Sequence, residues 1–475
     1  MEWSSFLLMR HELVLTGAIL LLLMAEIFMP ATQKAKLIPI VIVLFGVHMI
    51  TGFLPLDEGT MFGGMFQTTA MHQFAKNILN LGVFIVLLQS ADWLKNTVLK
   101  EDRLVEFYLL IGSTLLGMYF MISAGDFLML FIGLELASLP LAALAAYNIH
   151  NVKSAEAGIK FILSAALASG IMIFGISMIY GSTGSIYFDE VAGKMGRDSM
   201  SILAFMFFMS GLAFKISLVP FHFWTADVYE GAPTNVTSYL SVVSKGAAVF
   251  ILMIVLITVM PALQEIWKAL LYVLSILTMV VGNLFALRQQ NMKRFLAFSS
   301  IAQAGFILLG LLAANQSGMT TVIYFVLIYV FSNLGAFGVV HAIANHTGKE
   351  NMADYEGLYR TNPKLSLVLL ISLFSLAGIP PLAGFFGKFF LFIEAASQGY
   401  YWLVLIAVLN VTISLFYYLL PVRAMFLRKS DQAIPHFDSD MWMQMSLVLC
   451  VIGILAIGFY SPVYAIIYEI VGTYL

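Results

Sequence analysis

Charged residues and cysteine are both scarce in this chain. Asp, Glu, Lys and Arg make up 11% of its 475 residues, and Cys450 is its single cysteine. One cysteine excludes a disulfide framework, a CxxC redox pair and a cysteine-ligated iron–sulfur cluster. The sequence also lacks a GxGxxG motif after a strand and a GxxxxGK[ST] motif, so nucleotide binding has no support. We expect this chain to bind no cofactor, no metal and no nucleic acid.

Apolar residues are abundant instead. They make up 61% of the chain and give a mean hydropathy of +0.94, which is typical of an integral membrane protein. Because a helix needs about 20 apolar residues to cross the bilayer, we predict an all-α polytopic membrane protein with about 14 transmembrane helices. The first apolar run, LVLTGAILLLLMAEIFM, lacks the flanks of a signal peptide and is interpreted as a retained span. The predicted spans begin near residues 12, 37, 74, 104, 124, 154, 200, 235, 268, 294, 320, 365, 400 and 441.

The basic residues are distributed unequally between the predicted loops. Fifteen follow odd-numbered spans and five, among them Lys76, lie on the opposite side. The richer side is predicted to be cytoplasmic, which places both termini on the other side of the membrane. The fifteen are Lys34, Lys36, Lys95, Lys100, Arg103, Lys153, Arg288, Lys293, Arg294, Lys349, Arg360, Lys364, Arg423, Arg428 and Lys429.

Two predicted spans are interrupted by proline. Span seven contains Pro220, and span twelve runs through SLAGIPPLAGFFGKFFLF, where Pro380, Pro381 and nearby glycines predict two half-helices. The breaks lie five spans apart, as two inverted five-helix repeats (spans 4–8 and 9–13) require, and such paired breaks point to a transport site. The predicted organisation is residues 1–103 for spans 1–3, 104–258 for the first repeat, 266–429 for the second, and 430–475 for helix 14.

Four lysines fall inside predicted spans: Lys160, Lys215, Lys245 and Lys388. A charge at mid-bilayer costs at least ~2.5–3.5 kcal/mol, so such residues require partners or a function. Lys160 lies near a span end, where snorkelling to the interface is an equally good explanation. The other three lysines, on three different helices, form a row suited to passing protons.

Glu135 in span five is the predicted partner of Lys215, because both lie at similar depth. Two interpretations of this pair are open. It is either a static ion pair that connects two helices, or a movable carboxylate that modulates the protonation of Lys215. His222, just after Pro220, is a candidate bridge to the next polar site, although a lone histidine near a helix end is equally consistent with a structural role.

Four segments, in order and spacing, resemble the antiporter-like subunits of respiratory complex I, the bacterial proton-pumping NADH-quinone oxidoreductase. They are GLELASLPLAAL, GLAFKISLVPFHFWTADVYEGAPT, MKRFLAFSSIAQAGF and LAGIPPLAGFFGKFFLF. The resemblance implies a modulating pair at Glu135 and Lys215, a central lysine at Lys245 and a terminal lysine at Lys388. Lys160 and His222 also fall on family positions. Gln303 is a departure, because many relatives have a titratable histidine there.

Three features favour one branch of this family. They are the GLELASLP form of span five, a lysine rather than an acidic residue at 388, and the lack of a long C-terminal extension. The resemblance implies a translocase subunit that moves protons while quinone is reduced elsewhere, with FMN, iron–sulfur clusters and quinone in partner subunits. It places subunit M on one side of the chain and a small subunit with intramembrane glutamates on the other. It also implies the bacterial inner membrane, with periplasmic termini. The alternative is a subunit of an Mrp-type cation/proton antiporter or of a membrane hydrogenase.

Overall fold

The computed structural model describes residues 3–98, 103–430, 432–460 and 462–474. Lys100, which the charge analysis counts on the cytoplasmic side, lies outside these residues. Almost all secondary structure in the described residues is helical, with one two-stranded hairpin, β1 (Gly59–Met61) and β2 (Phe66–Thr68). The α-helices are α1 Arg10–Phe28, α2 Leu37–Gly52, α3 Ala70–Trp93, α4 Leu104–Ile122, α5 Phe127–Leu136, α6 Leu139–Ala145, α7 Val152–Thr183, α8 Phe188–Lys194, α9 Ser199–Ile216, α10 Phe223–Gly231, α11 Thr234–Tyr239, α12 Lys245–Ile254, α13 Gln264–Ala286, α14 Met292–Leu311, α15 Gln316–Thr347, α16 Leu358–Thr361, α17 Pro363–Ala377, α18 Ala383–Ser397, α19 Tyr401–Phe426, α20 Met441–Phe459 and α21 Pro462–Gly472.

The helices confirm a multi-pass all-α membrane protein. Within the described residues, 13 helical segments are long and apolar enough to cross a bilayer, and α17 with α18 forms one further, interrupted span. The predicted starts agree with the observed helix starts to within a few residues. The short α21 after the last span was not predicted. The division into inverted repeats and the orientation in the membrane stay predictions.

Several spans begin at a side chain that caps the helix. The Asp198 carboxylate accepts hydrogen bonds from the amides of Met200 and Ser201, and the Asn291 side chain does the same for the two residues that follow Met292. Such caps satisfy amides that have no partner within the helix. Polar residues between apolar runs therefore fix where these spans start.

The predicted breaks in spans seven and twelve are confirmed. α9 ends at Ile216 and α10 begins at Phe223, on either side of Pro220. α17 ends at Ala377 and α18 begins at Ala383. A third break divides span five, between Leu136 and Leu139, just before Pro140. Each break frees backbone carbonyls inside the membrane, which must find partners there.

The helices α12, α14 and α15 form the centre of the fold and are buried around almost their whole circumference, as expected for core helices of a membrane bundle. In contrast, α1 and α2 expose leucine, isoleucine and phenylalanine side chains along much of their length. The central position of α12 and α14 surrounds their polar residues with protein rather than lipid.

The structure decides the environments of two further lysines. Lys76, predicted to lie in a loop, lies inside α3 and is 1% exposed, because Thr69 caps this helix one turn earlier than expected. Lys160 lies in α7 with a side chain that is 42% exposed, which agrees with the snorkelling alternative. Hydropathy shows that a residue is in a helix; it does not show which face the helix turns toward the protein.

Candidate functional site

Lys215 lies in the last turn of α9, at the break in span seven, and is buried. Its Nζ donates to Ser138 Oγ at 2.6 Å and to the carbonyl of Ala137 at 3.4 Å. Both acceptors lie at the break in span five, where the carbonyl of Ala137 is free of a regular helical bond. Lys215 is therefore held where two interrupted spans meet.

Glu135 does not form the expected ion pair with Lys215, and the prediction of direct contact is wrong for this conformation. The hydroxyl of Ser138, one turn further along span five, accepts a hydrogen bond from the Lys215 ammonium instead. Glu135 is half-buried, and its Oε1 has no hydrogen-bond partner among the described residues. Because the helix is interrupted after Leu136, Ser138 rather than the carboxylate faces α9 at the depth of Lys215.

Lys245 is the first residue of α12 and directly follows a π-helical segment, Leu240–Ser244. Its Nζ donates to Ser300 Oγ at 3.0 Å and to the Ser300 carbonyl at 3.3 Å, both on α14. A π-helical turn widens the helix locally and is frequent at functional sites. The central lysine thus also lies beside a helix irregularity.

Lys388 lies on α18, and its Nζ reaches back across the break in span twelve. It donates to the carbonyl of Leu376 at 2.7 Å and to that of Ala377 at 3.2 Å. Gln303 Nε2 donates to the same Leu376 carbonyl at 3.0 Å. Gln303 is therefore a direct neighbour of Lys388.

The three ammonium groups share one kind of environment. Each is at least 95% buried, and each donates to neutral oxygens, a serine hydroxyl or a backbone carbonyl, at or near a helix irregularity. Within the described part of the chain, none of the three is in contact with a carboxylate. A buried charge without a fixed counter-ion is costly, so each site favours an arrangement in which a proton can be exchanged.

Lys160 belongs to a separate charged network near the start of α7. Its Nζ lies 2.7 Å from Glu156 and 2.6 Å from Asp227 on α10. Arg294, at the start of α14, also pairs with Asp227 at 2.6 Å. This network connects three helices and was missed because its members are far apart in the sequence.

His222 is the residue directly before α10, in the break of span seven, and its side chain makes no capping hydrogen bond. It is 7% exposed, and its Nδ1 has no hydrogen-bond partner among the described residues. Its ring lies against Phe223 with centroids 4.5 Å apart. The histidine is thus in the same break as Lys215, with one ring nitrogen unused.

Ser138 and Ser300 are the functional candidates that sequence reasoning missed. Both lie within segments that carry the family resemblance, GLELASLP and SSIAQAGF, but serine is common in membrane helices and gave no signal alone. Their positions in the sequence could have indicated them. Ser138 follows Glu135 by one turn and comes shortly before a proline, and Ser300 precedes Gln303 by one turn.

A polar cavity of about 220 Å³ opens beside the start of α11 and α14. It is lined by Asn235, Lys293, His341 and Glu350, among others, and Lys293 and Glu350 form an ion pair at 2.9 Å across it. A water occupies about 30 Å³ in the liquid, so the cavity has room for several. It lies on the predicted cytoplasmic side, ten residues from Lys245 along the same span.

Known proteins resemble this chain over nearly its whole length. The sequence model of the family described as NADH:quinone oxidoreductase/Mrp antiporter, TM, matches residues 124–414. NADH-quinone oxidoreductase subunit N of Phocaeicola vulgatus is 48% identical over 468 residues, which cover 98% of this chain and 99% of the relative. A chain of respiratory complex I from Thermus thermophilus with bound aureothin has a TM-score of 0.80 at 30% identity and covers 94% of this chain and 96% of that chain. A chain of the Mrp complex from Dietzia sp. DQ12-45-1b has a TM-score of 0.85 at 20% identity over 100% of this chain and 97% of that chain, which shows a shared fold.

The chain is an antiporter-like membrane subunit. Two observations define this class: interrupted membrane helices that hold buried lysines at their breaks, and the match to the family model over residues 124–414. Within that class, the chain belongs to the NADH-quinone oxidoreductase subunit N family, as the identity over nearly its full length shows. The branch predicted from the GLELASLP segment and Lys388 is confirmed.

Proposed function

We propose that this chain translocates protons through the row Lys215, Lys245 and Lys388, as a membrane subunit of an NADH-quinone oxidoreductase. Quinone reduction in partner subunits, which hold the FMN and iron–sulfur clusters, supplies the free energy. The partners in direct contact are subunit M on one side and a small subunit with intramembrane glutamates on the other. The chain lies in the bacterial inner membrane with both termini periplasmic.

The observation that carries this proposal is the common environment of the three ammonium groups. Each is buried, each donates its hydrogen bonds to neutral oxygens without an ion pair to any described carboxylate, and each lies beside a helix irregularity. A structural lysine is expected to have a fixed carboxylate, as Lys160 has. A proton carrier requires the opposite, a charge that small rearrangements of water and side chains can stabilise or remove.

The second half of the row is connected by polar contacts. Lys245 Nζ contacts Ser300, and Gln303 lies one turn after Ser300 on α14. Gln303 and Lys388 then share the Leu376 carbonyl. Gln303 cannot titrate, so it serves here by orienting a carbonyl and water between the two lysines.

The position of Glu135 favours a movable carboxylate over a static ion pair with Lys215. Its half-buried carboxylate lies one turn before Ser138, on α5, whose Leu128 and Ile132 are exposed. A neighbouring subunit packed on that face would reach the carboxylate. Movement of Glu135 toward Lys215 would replace the Ser138 contact with an ion pair and hold the proton on the lysine.

The test uses the purified complete complex in sealed vesicles and counts protons taken up per NADH oxidised. Lys245→Met and Lys245→Arg are both expected to lower this ratio, since methionine cannot carry a proton and arginine does not release one at these pH values. A structural role predicts normal pumping for arginine. Lys364→Met, at an exposed position, is the control. A normal ratio in both Lys245 variants at matched assembly would refute the proposal, and pumping that depends on added sodium would favour cation exchange.

A further inference from the structure

A cavity of about 360 Å³ lies where three spans end, and none of the lysines of the row lines it. The residues before α2, the end of α3 and the start of α20 bound it, with Trp442 in its wall. All three helix ends face loops that follow odd-numbered predicted spans, so the cavity lies on the predicted cytoplasmic side. Tryptophan is enriched where membrane meets water, so Trp442 indicates that the cavity is at the level of the lipid head groups.

Two lysines give the wall of this cavity positive charge. Lys36 is the last residue before α2, and Lys95 lies in the π-helical segment Leu94–Val98 that follows α3. Both side chains are exposed, and within the described part of the chain neither forms an ion pair. Basic pockets between membrane helices on the cytoplasmic side are typical binding sites for phospholipid head groups.

Two carboxylates line the same cavity. Asp92 accepts hydrogen bonds from the side chains of Asn96 at 2.6 Å and Asn345 at 2.7 Å, and Asp440 accepts one from the amide of Trp442 at 3.0 Å. These donors are neutral, and among the described residues neither carboxylate pairs with a cation. Opposite charges that line one cavity without pairing with each other suit a ligand that carries both signs.

The inner wall of the cavity is apolar and leads toward the middle of the membrane. Pro39 and Ala91 belong to it. From Pro39 the same face of α2 continues through Val43, Val47 and Ile50, whose side chains are more than half exposed. Water alone fills an apolar cavity poorly, whereas acyl chains can lie along such a face.

The groove beside α3 extends beyond this cavity. Both α2 and α20 pack against α3. A second cavity of about 220 Å³ lies near the other end of α2, and its almost wholly apolar wall includes Phe53, Phe74, Leu81 and Val463. Cavities near both ends of α2 indicate that this helix does not close tightly against α20 and α21.

We propose that the cavity lined by Lys36, Asp92, Lys95, Asp440 and Trp442 binds phosphatidylethanolamine, a zwitterionic phospholipid with a primary ammonium head group. The phosphate lies between the two lysines, the ammonium donates hydrogen bonds to the two carboxylates, and the acyl chains follow the exposed face of α2. A quaternary ammonium cannot donate these bonds, and an anionic head group without an amine leaves both carboxylates without a cation. The inference does not rest on the proposed function of the lysine row.

The test uses the purified complete complex in nanodiscs of phosphatidylcholine. A phosphatidylethanolamine with a photoactivatable group near the top of one acyl chain is added, and crosslinked peptides are quantified by mass spectrometry. We expect labelling of the peptides that line the cavity, and displacement of the probe by unlabelled phosphatidylethanolamine at an about tenfold lower concentration than by phosphatidylglycerol. Equal displacement by the two lipids would overturn the zwitterionic site. Absence of labelling in the wild-type complex would overturn it as well, because a neighbouring subunit would then cover the cavity.

Two variants separate the contacts of the head group. Lys36→Gln combined with Lys95→Gln removes the partners of the phosphate and is expected to lower the labelling about tenfold. Lys364→Gln, at an exposed lysine on the same predicted side, is the matched control and should be labelled like the wild-type complex.

Asp440→Asn removes a partner of the ammonium but keeps the cap of α20, since asparagine caps a helix as well as aspartate does. It should weaken displacement by phosphatidylethanolamine and leave displacement by phosphatidylglycerol no weaker than before. Labelling and displacement at the wild-type level in either variant would overturn the assigned contacts. If the double variant does not assemble, Asp440→Asn decides alone.

Discussion

Gly384 lies where the two halves of span twelve cross, and replacing it with alanine tests the role of that break. A Cβ at this position would lie 1.8 Å from the carbonyl oxygen of Ser375 and 2.6 Å from its carbonyl carbon. Both are backbone atoms and cannot rotate away. Since non-bonded heavy atoms pack at about 3.5 Å, α18 must move away from α17 by about 1.5 Å.

That movement has a calculable effect on Lys388, one turn further along α18. Its hydrogen bond to the Leu376 carbonyl on α17 is 2.7 Å long, and a displacement of this size would lengthen it to about 4 Å, beyond hydrogen-bond reach. Overpacking of this kind costs about 1–3 kcal/mol, and a lost hydrogen bond from a charged donor about 1.5–3 kcal/mol. We expect Gly384→Ala to assemble with lower thermal stability and with clearly fewer protons pumped per NADH.

Gly170→Ala is the matched control, because no atom lies within 4 Å of the Cβ that it would add in α7. It should pump normally and be no less stable, since alanine favours a helix over glycine by about 1 kcal/mol. The measurements are proton uptake in vesicles and the denaturation midpoint of the purified complex. If Gly384→Ala matched the wild-type protein in both, the crossing would not position Lys388 and the argument from the break would fail.

Two other substitutions test the surroundings of the row. Gln303→Leu should leave the complex assembled but lower proton uptake per NADH, because the hydrogen bond from the side chain to the Leu376 carbonyl is lost. Gln303→His keeps a hydrogen-bond donor and should restore the uptake. Equal uptake in the wild-type protein and both variants would exclude a role for this position. Asp227→Asn should weaken the contacts of α10 with Lys160 and Arg294. Because these side chains are about one-third or more exposed, solvent screening limits the expected destabilisation of the assembled complex to about 1 kcal/mol, measured as a lower denaturation midpoint. An unchanged midpoint would show that the charged network contributes nothing.

The architecture was predictable because its signals are local. Each span is a continuous apolar stretch whose length matches the bilayer, and the breaks at Pro220 and at 378–382 follow from residues that cannot continue a helix. The three lysines of the row stood out for the same reason, since a charge within an apolar run is visible without any knowledge of neighbouring helices.

The partners of those lysines were decided only by tertiary structure. Lys215 contacts Ser138 rather than Glu135, because an additional break in span five turns the serine toward α9 across 77 residues of sequence. Lys76 was assigned to a loop, yet it is buried against Glu12, 64 residues away. Hydropathy reports how apolar a segment is along the chain. Which face of a helix meets another helix, and therefore which charge finds a partner, is fixed only when the whole bundle packs.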